Sequence, residues 1–260
     1  MPDVAGLTGP TRLLFGLPLN AATMADTLGA CEQALHERRR LLVGVLNAAK
    51  VVNLRRDALL RASLMECDLL LADGQSVVWA SRLLGRPLPE RVAGIDLFVA
   101  LLDLADREGF SVYLLGAKPD VLRRLVAHVE ERYPGLVIAG ARDGYFKEEE
   151  SAEVAYEIRA SRPDMLFLGM TSPKKEIFLA AHGRDLGVPV LHGVGGSFDV
   201  LAGLTRRAPE CWQRYGMEWA YRLLQEPRRM WRRYLRTNSI FLALVVRELL
   251  RPSPPLRGSL

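Results

Sequence analysis

The 260-residue chain has only three cysteines, Cys31, Cys67 and Cys211. They are odd in number and scattered without metal-type spacing, so they read as reduced thiols and not as a disulfide framework. The four histidines, His36, His128, His182 and His192, also lack ligand spacing and read as surface or core residues. No D-x-D pair marks a metal-bridged diphosphate, and neither a metal nor a cofactor is expected. No apolar run approaches the roughly 20 residues that a bilayer crossing requires. The longest candidate, Ile240 to Val246, stops at Arg247 and Glu248. The first residues lack the basic start, apolar stretch and cleavage site of a signal peptide. A cytoplasmic protein is the expectation. The dinucleotide fingerprint G-x-G-x-x-G is missing too, which argues against a nucleotide-dependent oxidoreductase.

What is present is ordinary in bulk and uneven in distribution. Apolar residues make up 49% of the chain and charged ones 25%, as in a globular protein long enough to bury a sizeable core. Met1 to Pro10 is small and polar, and the segment from Pro252 is rich in Pro, Gly and Ser; both ends are expected to be mobile. The net charge of +5 conceals a split: from Thr205 onward there are 12 Lys and Arg against 4 Asp and Glu, and before it 23 against 26. A neutral-to-acidic body therefore carries a strongly basic C-terminal quarter. That asymmetry calls for a polyanionic partner, either an anionic membrane surface or nucleic acid.

Short β-rich apolar runs alternate with amphipathic stretches. Strands are expected at Leu41–Leu46, Asp68–Leu71, Ser111–Leu115, Leu136–Ala139, Asp164–Leu168 and Val188–Leu191, with a shorter one at Arg12–Phe15. Helices are expected at Met24–Glu37, Ile95–Glu108, Val121–Arg132 and Glu148–Ser161. Such alternation predicts an α/β fold, a mostly parallel Rossmann-like sheet with helices on both faces. After Thr205 the pattern turns to helices alone. Trp212, Tyr215, Trp219 and Leu223 fall at i, i+3, i+7 and i+11, one helical face, and Pro227 restarts the chain. The organisation expected is a mobile N-terminus (1–10), an α/β catalytic domain (11–204), a helical basic appendage (205–251) and a mobile tail (252–260).

Ligands of parallel sheets bind at the carboxyl ends of the strands. Asn47, Asp73-Gly74, Gly116-Ala117-Lys118, Gly169 to Lys175 and Gly193 to Asp199 all fall there. Together they locate a crevice without naming its ligand. An aspartate just past a strand and followed by glycine is held with little steric cover, so Asp73 suits a general base. It equally suits an aspartate that satisfies turn amides before a helix from Ser76. Asn47 either hydrogen-bonds a sugar or closes a turn. Arg91 offers a guanidinium fork for phosphate, or is a surface arginine beside Glu90. Asp96 is expected to cap the helix that follows.

The order of short motifs resembles the WecG/TagA/CpsF family. They are Asn47-Ala48, Leu71-Ala72-Asp73-Gly74, Arg91 to Leu97, Val112 to Gly116 and Asp143-Gly144-Tyr145-Phe146. Pro173-Lys174-Lys175-Glu176, Gly195 to Asp199, Arg207-Ala208-Pro209, Glu218-Trp219 and Tyr221 to Pro227 complete the series. The match is collinear from about Leu13 to Phe241. The resemblance implies an inverting glycosyltransferase that moves a sugar from a UDP-sugar to a polyprenyl-diphosphate-linked sugar acceptor, peripheral on the inner face of the cell membrane. It implies catalytic roles for Asp73 and Arg91 and places nucleotide near Tyr145 and Asp199. It makes Asn47, Lys174, Lys175, Glu176, Gly195 and Gly196 substrate-binding candidates, and Arg222, Arg229 and Arg232 contributors from the appendage. With no metal, positive side chains must neutralise the leaving UDP.

Two positions depart from the family pattern. Val45 stands where threonine is common, which removes a hydroxyl. Lys175 stands where glutamine is common, which adds a cation beside Lys174. That lysine pair could meet the carboxylate of a uronic-acid donor, or the diphosphate itself. The sugar donated and the polymer made are not legible, and a homo-oligomer is left open. The acidic body and the strand-end motifs argue against a nucleic-acid-binding module.

Overall fold

The computed structural model describes residues 9–214, 216–225 and 227–256; of Arg214, Arg222, Arg229, Met230 and Arg233 it describes the backbone alone. Strands β3 (Leu41–Leu46), β4 (Leu69–Ala72), β5 (Ser111–Gly116), β6 (Val137–Arg142), β7 (Met165–Gly169) and β8 (Val190–Gly193) form one six-stranded sheet in the order β4-β3-β8-β7-β5-β6. Each adjacent pair is parallel. The strand runs read from the sequence sit in this sheet within a few residues of their expected bounds. β3, β4, β7 and β8 are buried nearly end to end, which is why they read as continuous apolar runs and not as alternating ones.

The pleat divides their side chains between two layers. Leu41, Val43, Met165 and Phe167 point into a core shared with helices α1 (Met24–His36), α5 (Gly94–Glu108) and α6 (Pro119–Arg132). Leu42, Leu166, Leu168 and Leu191 face α7 (Ser151–Ser161) and α8 (Lys174–His182). The helix starts follow local chemistry. Thr23 and Asp26 make a reciprocal capping box at α1, and Pro119 opens α6 where no amide is needed.

The structure adds to one expectation and corrects another. The short strand expected at Arg12–Phe15 is present as β1 (Thr11–Leu14), and it pairs antiparallel with an unforeseen β2 (Leu17–Asn20) in a separate two-stranded sheet. The Asn20 side chain ties this hairpin to β4, accepting from the Leu70 amide at 2.8 Å. The single helical face through Trp212 and Trp219 is broken into α10 (Glu210–Arg214) and α11 (Glu218–Gln225). The chain turns at Gly216, where φ is +65°; the Trp212 ring then lies tilted against Tyr221, and the Trp219 ring meets Tyr234 edge to face. Tyr215, the third aromatic of that face, lies outside the described residues. Beyond the last helix the Leu256 amide donates to Gly16 O at 2.8 Å, and residues 257–260 of the expected tail lie outside the described residues.

The last helix, α12 (Pro227–Leu250), packs back on α2 (Ala48–Asn53) and on the hairpin, where Phe241 and Phe15 lie 5.6 Å apart between ring centroids. This third core also takes in α3 (Ala58–Met65) and α4 (Gln75–Leu83). The basic appendage is thereby held against the part of the body that carries the ends of β3 and β4.

Candidate active site

The carboxyl ends of β3 and β4 bring Asn47 and Asp73 together. The Asp73 amide donates to Leu46 O at 2.9 Å. Its carboxylate accepts from the Gly94 amide at 3.0 Å and from Asn47 Nδ2 at 3.4 Å. Asp73 therefore does not cap the helix after it: α4 begins at Gly74 with no side-chain cap. It is held instead by the first turn of α5, whose unpaired amides favour a negative charge. Asn47 does close a turn, since its oxygen accepts the Lys50 amide at 3.1 Å to start α2. Its remaining amide group is what faces Asp73. Beneath them His192 is fully buried between the Gly94 and Val43 carbonyls, 3.1 and 3.2 Å from its ring nitrogens. Burial lowers its pKa below the ordinary value.

Three ionisable side chains lie below the neighbouring loop. Lys50, missed in the sequence, donates to Val45 O at 2.6 Å and sits 2.8 Å from Glu176 Oε1. Lys175 reaches the same oxygen at 3.7 Å. All three are buried. Burial first, and then Lys50, bring the Lys175 ammonium down to about 8, while Glu176 and Asp73 pull the other way. Burial alone would raise Glu176, but the two lysines outweigh it and hold the carboxyl below its usual range. The glycine loop after β8 passes directly over Lys175. A Cβ at Gly195 would stand 2.9 Å from Lys175 Nζ, and φ there is +55°. Gly195 leaves that ammonium uncovered by any side chain of its own.

The loops after β5, β6 and β7 converge beside this group: Ala117 N donates to Gly169 O, and Gly144 N to Ala117 O. Lys174, expected in a loop, is the first residue of α8. Its ammonium donates at 2.9 Å to both Gly144 O and Phe146 O and lies 4.0 Å from the centre of the Phe146 ring. It thus grips the carbonyls on either side of Tyr145. Tyr145 is held at its backbone, where its amide meets Asp143 at 2.9 Å, while its ring is 71% exposed. Asp199 stands in the first turn of α9 (Ser197–Leu201), which Gly196 starts. Its carboxylate has no hydrogen-bond or ion-pair partner among the described residues.

Arg91 is neither free nor paired with Glu90, whose carboxylate instead accepts the Met24 amide. The guanidinium donates to Glu218 Oε2 at 2.8 Å and lies 3.8 Å from Asp96. Arg207 joins the same group, 2.6 Å from Asp96 and 3.8 Å from Glu218. Asp96 makes no cap hydrogen bond to α5, whose cap residue is Ala93. Four charges thus lock the appendage to the start of α5, the helix whose amide holds Asp73. Arg207 and Glu218 fall inside motif segments, but nothing in their spacing announced this pairing. Of the other arginines expected here, Arg222 and Arg229 have side chains outside the described residues. Arg232 is exposed, its guanidinium 5.2 Å from the Trp231 ring centre, and no described contact joins it to Asp73. No group of three or more His, Cys, Asp and Glu that could hold a metal ion occurs among the described residues.

The arrangement offers a carboxylate acceptor, an amide beside it, a buried cation under a glycine loop and an exposed aromatic ring on a clamped loop. These parts suit transfer of a group from a phosphorylated, ring-bearing donor. Comparison with known proteins bears on which group. The model of the glycosyl transferase WecG/TagA/CpsF family matches residues 12–255. An N-acetylglucosaminyldiphosphoundecaprenol N-acetyl-beta-D-mannosaminyltransferase of Bacillus spizizenii is 41% identical over 197 residues, 76% of this chain and 76% of that protein.

Proposed function

The chain belongs to the WecG/TagA/CpsF family of glycosyl transferases, and on that premise we propose that it inverts a UDP-sugar onto a polyprenyl-diphosphate-linked sugar in cell-surface polysaccharide synthesis. The observation that carries the proposal is the seat of Asp73: a half-buried carboxylate at a strand end, aimed by the Gly94 amide and facing Asn47. In this reading an acceptor hydroxyl loses its proton to Asp73 as its oxygen bonds to the anomeric carbon. The bond from that carbon to the UDP oxygen breaks, and UDP leaves with the electron pair.

Leaving-group charge is met by Lys175 beneath the Gly195 loop. Lys174 is committed to two carbonyls, so the lysine pair does not act as a unit, and the diphosphate is favoured over a uronic-acid carboxylate as the partner of Lys175. The Tyr145 ring stacks on the nucleobase, and Asp199 accepts from the nucleoside. Arg91, engaged with Glu218 and Asp96, acts by joining appendage and body at the site, and Arg222, Arg229 and Arg232 are assigned to the diphosphate on the family resemblance alone.

The acceptor's lipid places the enzyme at a membrane. No helix among the described residues is long and apolar enough to cross one. Helix α12 instead exposes Trp231, Leu235, Leu242, Val246 and Leu249 at near-helical spacing while burying Phe241 and Val245. Arg228, Arg232, Arg236 and Arg247 are exposed on the same helix. A tryptophan-bearing apolar stripe among arginines suits an anionic bilayer surface on the cytoplasmic side.

The test is UDP release with an N-acetylglucosaminyl-diphosphoryl-lipid acceptor and a panel of UDP-sugars, comparing the parent with Asp73→Asn. Loss of turnover by about 100-fold or more, with UDP binding retained, is expected. Undiminished turnover by D73N removes Asp73 as the base.

A further inference from the structure

Strand β8 sends alternate side chains to opposite faces of the sheet, which puts Val190 and His192 together on the face covered by α5. The residues paired with His192 on the neighbouring strands are Val43 and Phe167, and both belong to the apolar core on that face. A fully buried imidazole in such a layer gives up its hydration, a cost that an apolar side chain would not carry. Its ring nitrogens lie instead 3.1 Å from Gly94 O and 3.2 Å from Val43 O. Burial lowers its pKa more than the two carbonyls raise it, and of the charged groups nearby Lys175 opposes a second proton while Asp73 favours one. At neutral pH the ring is therefore uncharged and brings one N–H to two acceptors. The contact to Gly94 is the shorter.

That carbonyl sits where α5 most needs a fixed point. The helix begins without a capping side chain, because its cap residue is Ala93. The segment entering it is tied to β4, where the Val92 amide donates to Ala72 O at 2.9 Å. The Gly94 amide then goes to the Asp73 carboxylate at 3.0 Å. Gly94 is thus held from two directions, at its nitrogen by Asp73 and at its oxygen by His192.

We infer that His192 is a positioning residue for the transfer: its Nε2–H, donated to Gly94 O, fixes the first turn of α5 so that the Gly94 amide aims the Asp73 carboxylate. His192 touches no substrate and acts through Gly94 alone. The inference rests on the reading of Asp73 as the base. Without the clamp the start of α5 is free to tilt, and the carboxylate keeps only its longer contact, to Asn47 at 3.4 Å. The loss falls on proton removal from the acceptor and not on the grip of the donor.

The experiment uses the full chain and three substitutions. His192→Leu fills the space without a donor. His192→Gln carries an amide N–H to the place of Nε2, and His192→Asn carries one to the place of Nδ1, where it serves Val43 alone. Hydrogen exchange of the Gly94 amide is followed by NMR, and steady-state UDP release is measured with the acceptor used for Asp73→Asn. His192→Leu is expected to speed Gly94 exchange and to lower kcat, each by about tenfold, with KM for the UDP-sugar as in the parent. His192→Gln should restore both quantities and His192→Asn neither. Thermal unfolding of His192→Leu at or above the parent's temperature separates the effect from a general loss of stability. In an Asp73→Asn background His192→Leu should make no further difference to the rate. Unchanged Gly94 exchange in His192→Leu, or equal behaviour of the Gln and Asn variants, overturns the clamp whatever the reaction. Undiminished UDP release by Asp73→Asn overturns the reading of Asp73 instead, and does so without touching the exchange result.

Discussion

Replacing Lys175 by methionine is expected to make the protein more stable and less active at the same time. The reason lies in the burial of its ammonium, which is brought down from 10.5 to about 8. At about 1.4 kcal/mol per pH unit, that fall corresponds to a penalty of about 3 kcal/mol for keeping the proton in the folded state. The unfolded chain holds the proton until its ordinary value, whereas the folded protein releases it near 8. The penalty is thus fully present below about 8 and is relieved as pH rises towards 10.5. Methionine fills similar space without charge, and Glu176 keeps Lys50 at 2.8 Å. Part of the gain is offset because Glu176 loses one of its two cations, leaving about 1–2 kcal/mol at neutral pH. Denaturant unfolding of parent and variant near neutral pH and again above pH 9 measures this; the difference should shrink at the higher value. Activity should move the other way. Loss of a charge-assisted contact to the diphosphate lowers kcat/KM for the UDP-sugar by about 10- to 100-fold at neutral pH. The parent's rate should fall through a limb centred near 8, which the variant lacks. A variant less stable than the parent, or a stability difference that does not change with pH, refutes the account of Lys175 as a desolvated cation.

Other consequences follow from the same geometry. Lys174→Met frees the carbonyls flanking Tyr145, so UDP affinity measured by calorimetry should fall about tenfold, and Tyr145→Ala should reduce it by a comparable 10- to 100-fold through lost stacking; the double variant should be little worse than the poorer single one. Glu218→Gln leaves Arg91 and Arg207 with Asp96 alone and loosens the appendage. Proteolytic cleavage after Arg206 should accelerate several-fold, and turnover should fall without any change in UDP affinity. Leu242→Glu combined with Leu249→Glu places two carboxylates on the exposed stripe. Binding to vesicles rich in anionic lipid, measured by co-sedimentation, should drop about tenfold or more while turnover of a water-soluble acceptor persists.

Much of the candidate crevice was legible because strand ends declare themselves locally. Asn47, Asp73 and the Gly193–Asp199 loop each follow an apolar run, and a parallel sheet brings such ends to one edge. The hairpin was not legible: its turn is Phe15-Gly16, both at positive φ, and phenylalanine there gives none of the Asn-Gly or Asp-Gly signal of such turns. Lys50 drew no reading from the sequence, and only packing shows it buried against Glu176. The break at Gly216 was hidden by aromatic spacing that happens to continue across it.

Hydrophobic periodicity alone settled the parallel α/β architecture, because a strand covered on both faces and a helix covered on one must each write that burial into neighbouring residues. What each charged group does was decided only by tertiary structure. Arg91 meets Glu218 across 127 residues, and Asp73 meets the Gly94 amide across 21. Such partners are chosen by which elements the topology sets side by side, and a Coulomb or hydrogen-bond contact leaves no period in the chain by which it could be read.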